Sequence, residues 1–228
     1  RSEQNSDPQQ RRLLSARIAR LAGRTEPLLS YFRRVFFHVD KEKVTLSHAV
    51  TLASDDFPRD LGPAQRELLD AFIQAGMVTM EGDAVAAVGS ADLRYLGGGR
   101  WLEEYCYLTL RDLHLFDEVV ANLVVSGGEK VENELDVVAA RRGRLFFFSC
   151  KTGGAVGSWR KDDLAQEEVF KLETLRDLAG GTFARAVLVA GSGMTPQLKQ
   201  RCGRLGIDYV DVDNLHRLDE FARRVAGA

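Results

Sequence analysis

The sequence is poor in the residues that build disulfide frameworks and thiolate metal sites. Only three of its 228 residues are cysteine: Cys106, Cys150 and Cys202. They are odd in number and far apart, and they form no CxxC pair. That excludes a disulfide scaffold and a zinc ribbon or finger, and it favours a reducing cytoplasm. Long apolar runs are also missing. Every hydrophobic stretch is strand-length, so neither a signal peptide nor a membrane span is expected. No excess of one charge exists: 31 Lys and Arg stand against 33 Asp and Glu. Residues 1–98 carry 13 of each sign. A polyanionic partner must therefore be met by a local patch, not by global charge. The four histidines (His38, His48, His114 and His216) are scattered and read as structural. No internal repeat or low-complexity tract appears.

What is there divides at Gly97-Gly98-Gly99. The first nine residues are polar and lack a core pattern. QQRRLLSARIARLAG has helical apolar spacing at Leu14, Ile18 and Leu21. PLLSYFRRVFFHVD predicts a second helix, and a short one is expected near Leu46–Leu52. GPAQRELLDAFIQAG predicts a helix with Pro63 in its first turn and Gly76 at its end. MVTMEGDAVAAVG predicts a hairpin turning at Gly82-Asp83. Helices followed by a β wing suggest a winged-helix-like α+β module over residues 10–92. Its best helix, QRELLDAFIQ, carries one arginine and two acids, which argues against reading a DNA groove. Phe36, Phe37, Leu68, Leu69, Phe72 and Ile73 are expected to pack, as a spacer or dimerisation element.

Residues 98–228 have a different order. RWLEEYCYLTLRDL is an amphipathic helix and DEVVANLVVSG a strand. NELDVVAARRGRLFFFSCKTG is two strands around a tight basic turn. DDLAQEEVFKLETLRDLAGG is a helix with a glycine stop, and ARAVLVAG a strand. TPQLKQRCGRLG is a helix with Thr195 as cap and Pro196 at its first position. IDYVDVD and NLHRLDEFARRVAG close the chain. The pattern α-β-β-β-α-β-α-β-α predicts an α/β domain, a mixed β-sheet with helices on both faces.

The chemistry concentrates at the hairpin. Strand side chains alternate, so Glu134, Asp136 and Val138 share one face of the first strand. Leu145, Phe147, Ser149 and Lys151 share one face of the second. A short turn at Arg142-Gly143 makes the strands antiparallel neighbours, and Asp136 and Lys151 then meet near one end of the sheet. The glycine-rich KTGGAVGS begins there. As residue types alone, the pair is equally well a structural ion pair or two solvated strand ends. Phosphodiester cleavage, however, needs a divalent cation held by carboxylates and a second cation near the phosphate. Arg141, Arg142 and Arg144 at the hairpin tip read as a phosphate patch or as a solubility device. Lys171 reads as a phosphate contact or a solvated lysine.

With these residues the sequence resembles the PD-(D/E)xK nuclease superfamily, whose restriction-endonuclease-like core is α-β-β-β-α-β. GGGRWLEEYCY, NELDVVAARRGRLFFFSCKTG and VFKLETLRDLAGG, in that order, are similar to the C-terminal nuclease region of the CARF-domain CRISPR ancillary nucleases. The resemblance implies that Asp136 and Lys151 are catalytic and that Mg²⁺ or Mn²⁺ is held by Asp136 and the main-chain carbonyl of Cys150. It implies Glu103 as the extra acid from the entry helix. It also implies a nuclease of type III CRISPR defence that acts, as a homodimer, on single-stranded DNA or RNA without sequence preference. Cyclic tetra-adenylate would act only through an N-terminal CARF sensor, which is not among these 228 residues. No organic cofactor is implied. Ser149 stands where the superfamily has Asp or Glu, and a hydroxyl is a poorer ligand for a hard cation. The missing carboxylate is sought first at Glu103, then at Glu134 and Glu167. If none supplies it, the chain is a catalytically impaired nuclease fold kept for nucleic-acid binding or dimerisation. A third reading, a DNA-binding regulator acting through residues 10–90, is weaker.

Overall fold

The computed structural model describes residues 8–40, 43–46, 60–81, 84–87, 95, 99–126, 132–152, 162–181 and 183–227. They form two compact units, one running to Trp101 and one taking up from Leu102.

The first unit holds helices α1 (Pro8–Leu21), α2 (Glu26–Phe36) and α3 (Pro63–Gln74). It also holds two short hairpins, β1 (Phe37–Asp40) with β2 (Lys43–Leu46) and β3 (Val78–Glu81) with β4 (Ala84–Ala87). The apolar spacing read from α1 is the buried stripe Leu14, Ile18 and Leu21. Phe32 and Phe72 meet edge-on at 5.7 Å, which ties α2 to α3. At the start of α3, Pro63 occupies the first turn and the Gln65 side chain accepts the Gly62 N–H at 2.9 Å. Two readings need correction. The second helix ends at Phe36, and Phe37–Asp40 pairs instead with Lys43–Leu46. Aromatic and β-branched residues at 37 and 39 suit a pleated strand as well as a helix, and pairing decides between them. Leu46 ends a strand rather than opening a helix. The remainder of that expected helix, the Gly82-Asp83 turn and the Gly97-Gly98 pair lie outside the described residues.

The second unit is built in the predicted order: α4 (Arg100–Asp112), β5 (Glu118–Ser126), β6 (Glu132–Arg141), β7 (Arg144–Lys151) and α5 (Asp162–Leu175) come first. After one π-helical turn follow β8 (Arg185–Ala190), α6 (Pro196–Arg204), β9 (Ile207–Val210) and, past a 3-10 turn, α7 (Leu218–Ala226). The five strands form one mixed sheet in the order β5-β6-β7-β8-β9. β5, β6 and β7 are antiparallel neighbours, whereas β8 and β9 continue parallel to β7. β7 is central and covered on both faces, so its three consecutive phenylalanines, Phe146, Phe147 and Phe148, are all buried. Each contributes about 1.5–3 kcal/mol by leaving water. Phe147 packs with Val138 and with Val169 and Leu172 of α5. Gly180 lies so close to the Phe147 ring that a Cβ there would stand 2.5 Å from it. Thr195 caps α6, its hydroxyl accepting the Leu198 N–H at 3.2 Å, as its place before Pro196 predicts.

α4 is tied to the C-terminal segment by Tyr105, whose hydroxyl donates to the Leu215 carbonyl at 3.1 Å. Burial pushes this phenol up to about 12. The group is therefore a neutral donor at neutral pH. Tyr105→Phe is expected to cost about 1–1.5 kcal/mol, the net worth of one buried hydrogen bond. That predicts a fall of about 2–4 °C in the thermal midpoint, measured by calorimetry.

Candidate nuclease site

Asp136 sits where both ladders around β6 are interrupted. On one side the β6–β7 pairing stops at Val137↔Phe148. On the other, β5 pairs Ala121 with Val137 and Leu123 with Leu135 but skips the residue between, Asn122. Asn122, opposite Asp136, has a φ of 53°, a left-handed conformation that asparagine tolerates better than other side chains with a Cβ. The carboxylate takes over as acceptor. Asp136 Oδ2 accepts the Cys150 main-chain N–H at 2.7 Å and the Ser149 hydroxyl at 3.3 Å. Asp136 and Ser149 are thus neighbours across the two strands.

The direction of the Cys150 carbonyl follows from the ladder. In a strand, N–H and C=O of one residue point to the same side, and successive residues alternate. The Lys151 carbonyl accepts from Gly191 N at 2.8 Å, on the β8 side. That of Cys150 therefore points to the β6 side, with its N–H, toward Asp136.

Ser149 and Lys151 share a face of β7, and the helix over that face is α5. The Lys151 ammonium meets Glu168 Oε2 at 3.1 Å. Burial pulls the lysine down, but the carboxylates of Asp136 and then Glu168 reverse this and hold it above the usual lysine value. It is an ammonium at neutral pH and a charge donor, not a base. Glu134, Asp136, Ser149, Lys151, Glu168 and Lys171 line one shallow cavity. Its water-sized space is about 30 Å³, room for a water or two and too little for a nucleotide. A substrate must lie across its mouth.

Not every residue singled out in the sequence comes to this cavity. Cys150 is buried and its thiol belongs to the other face of the sheet, beside Cys106 of α4. That contact first, then desolvation, pushes the Cys150 thiol well up, so it is no thiolate nucleophile. Glu103, one turn before Cys106 on α4, adds to that rise through its charge but does not line the cavity. Glu167 is exposed. The acid from α5 is its neighbour Glu168, which the sequence reading passed over. The signal was available: Glu168, Lys171, Leu172 and Leu175 follow the i, i+3, i+4, i+7 spacing of one helix face, and Glu167 does not. Arg141, Arg142 and Arg144 lie at the far end of β6 and β7. Five residues of strand, about 17 Å, separate Arg141 from Asp136.

Among the described residues no three acidic, histidine or cysteine side chains converge as a metal cage. Magnesium, however, is commonly held by one or two carboxylates with waters and substrate phosphates. Asp136, the Cys150 carbonyl and Glu134 are a lean oxygen set of that kind, and they fit.

Residues 90–226 match the family model described as Card1-like, endonuclease domain. Among solved structures the chain is similar to protein VC1899 from Vibrio cholerae, with 24% identity and a TM-score of 0.74 over 96% of this chain and 56% of that one. It is also similar to Can2 from Sulfobacillus thermosulfidooxidans, solved in complex with cyclic tetra-adenylate, with 18% identity and a TM-score of 0.68 over 93% of this chain and 56% of that one. The chain thus spans little more than half the length of either. No curated protein matches it.

Proposed function

The chain belongs to the Card1-like endonuclease domain family, and from that membership we propose that it is a metal-dependent nuclease of the PD-(D/E)xK type. The observation that carries the reading is the grouping of Asp136, Ser149 and the Lys151–Glu168 pair at one sheet end. Mg²⁺ or Mn²⁺ would be held by Asp136, the Cys150 carbonyl and Glu134. Glu134 is preferred to Glu103 because it lines the cavity. Such an ion, when bound, supplies Lewis-acid neutralisation at phosphorus and a water of lowered pKa. Lys151, kept charged by Asp136 and Glu168, stabilises negative charge building on the scissile phosphate. Lys171, on the cavity rim, contacts a neighbouring phosphate.

The family match and the likeness to Can2 support a CRISPR-associated nuclease effector; on this reading the chain is the effector part of a type III CRISPR ancillary nuclease and works in the cytoplasm as a homodimer. Cyclic tetra-adenylate would be read by a CARF sensor outside these 228 residues. Residues 10–92 are taken as a winged-helix-like spacer and 98–228 as the nuclease domain. Nothing in α3 favours base reading: Leu68, Leu69, Ala71 and Phe72 are buried. Single strands of DNA or RNA, cut without sequence preference, fit this arrangement.

One observation favours a second reading. The Ser149 hydroxyl donates to Asp136 where a carboxylate would add a metal ligand. On that reading the fold is kept for nucleic-acid binding or dimerisation. Incubating the chain with Mn²⁺ and labelled single- and double-stranded DNA and RNA separates the two. Cutting that needs Mn²⁺, stops with chelator and ignores added cyclic tetra-adenylate is the expected result. Binding without cutting of any substrate would overturn the nuclease reading in favour of the second.

A further inference from the structure

Five arginines gather at the sheet end remote from Asp136. Arg141 and Arg144 face each other in the last pair of the β6–β7 ladder, with Arg142 in the turn between them. The guanidinium of Arg141 donates to the Ala226 carbonyl, the last residue of α7, at 2.6 Å. This bond brings the final turn of α7, with Arg223 and Arg224, beside the hairpin tip. Arg142, Arg144, Arg223 and Arg224 are all exposed, and none forms an ion pair with a described residue. The guanidinium of Arg224 lies 5.1 Å over the Phe221 ring. Two acids face the group. Asp117 accepts the Arg142 main-chain N–H at 2.6 Å, and Glu118 opens β5 opposite Ala140. The patch keeps a net positive charge.

Helix chemistry accounts for part of this. A guanidinium on a terminal carbonyl and arginines in a last turn complement the helix dipole. It does not account for Arg142. Arg142 and Gly143 have φ values of 49° and 75°, the pair of left-handed residues of a type I′ turn. The first of these positions favours Asn, Asp or Gly. An arginine there is disfavoured, and it stands beside a second exposed arginine, Arg144. A polyanion offsets the like-charge crowding of these exposed guanidinium groups.

We infer that Arg142, Arg144, Arg223 and Arg224 form an exosite for the phosphate backbone of a single-stranded nucleic acid, separate from the cleavage site. The identity of the anion rests on the nuclease reading. A strand held there reaches Asp136 and Lys151 only if it spans the five residues of β6, about 17 Å, between Arg141 and Asp136. The exosite therefore favours long strands over short oligonucleotides, and it reads no sequence.

The test uses the full chain and two double variants, Arg142→Asn with Arg144→Gln, and Arg223→Gln with Arg224→Gln. Asparagine suits the left-handed turn position, and Arg141, which holds α7, is untouched. Binding of a long labelled single strand is followed by anisotropy in chelator across a salt series. Each lost phosphate contact lowers the slope of log K against log salt by about 0.7, so each double variant should lose about 1.4. Affinity near physiological salt should fall about tenfold. With Mn²⁺, KM for the long strand rises and cutting of short oligonucleotides stays unchanged. A wild-type slope in both variants, with wild-type thermal midpoints, overturns the exosite, and so does a loss that is equal for short and long substrates. The outcomes separate from those for the nuclease reading. A reduced slope in a chain that never cuts keeps the exosite and removes the enzyme, whereas full slope with intact cutting does the reverse.

Discussion

Asp136→Asn and Lys151→Ala are each expected to lower metal-dependent cutting by a factor of about 10²–10³, the usual effect of removing a charge aimed at the transition state. Both proteins should stay folded. Asparagine keeps an oxygen for the Cys150 N–H and Ser149 hydroxyl that Asp136 now accepts, so the ladder end survives. What it loses is the charge that would hold a cation. Lys151→Ala leaves Glu168 without its ion pair. Glu168 is 38% exposed, so water solvates it, and the stability cost is within about 1 kcal/mol. Near-UV circular dichroism and the thermal midpoint check the fold, and Mn²⁺-dependent cutting of a labelled single strand checks the chemistry. Full activity in both variants, from preparations free of contaminating nuclease, would remove Asp136 and Lys151 from the mechanism.

These two residues could be read in the sequence because a β-hairpin is a local object. Alternation puts Asp136, Ser149 and Lys151 on one face with no knowledge of the rest of the fold, and the Arg142-Gly143 turn sets the register. The helices and strands of residues 98–228 were legible for a similar reason: each carries its own period and its own stop, such as Thr195-Pro196 before α6. What depended on contacts between distant segments was not legible. Phe37–Asp40 looks helical until Lys43–Leu46 pairs with it. The acid from α5 depends on which side of the helix meets the sheet, and one step of phase, about 100°, separates Glu167 from Glu168. Glu103 looked well placed at a helix start, yet its helix touches β7 through Cys106 and Cys150, on the face away from Lys151. The three arginines at the hairpin tip read as a phosphate patch, with no distance to the site attached. They belong to the same hairpin, but a strand keeps its two ends apart.

Ser149→Glu should produce the largest gain. Its side chain shares a face with Lys151 and donates to Asp136 Oδ2. A carboxylate there can no longer donate, and it meets a second negative charge. Without metal the variant should be less stable than the parent by about 1–2 kcal/mol, since two carboxylates that share a site repel. A divalent cation reverses the sign, because the same two carboxylates then become ligands to one hard ion. Any ligand that binds only the folded state stabilises it by RT ln(1 + [L]/Kd), about 2.7 kcal/mol at a concentration of 100 Kd. The thermal midpoint of the variant should therefore start below that of the parent and rise above it as Mn²⁺ is added, with a titration midpoint at least about tenfold lower. Cutting should increase in step. A parent that already responds to Mn²⁺ and already cuts has a working but lean site, with Glu134 as its second acid. A parent that does neither, beside a variant that does both, is an enzyme fold that the hydroxyl has silenced, and the binding reading then holds. If Mn²⁺ shifts neither midpoint, the cavity beside Asp136 takes no cation and the metal-dependent mechanism fails.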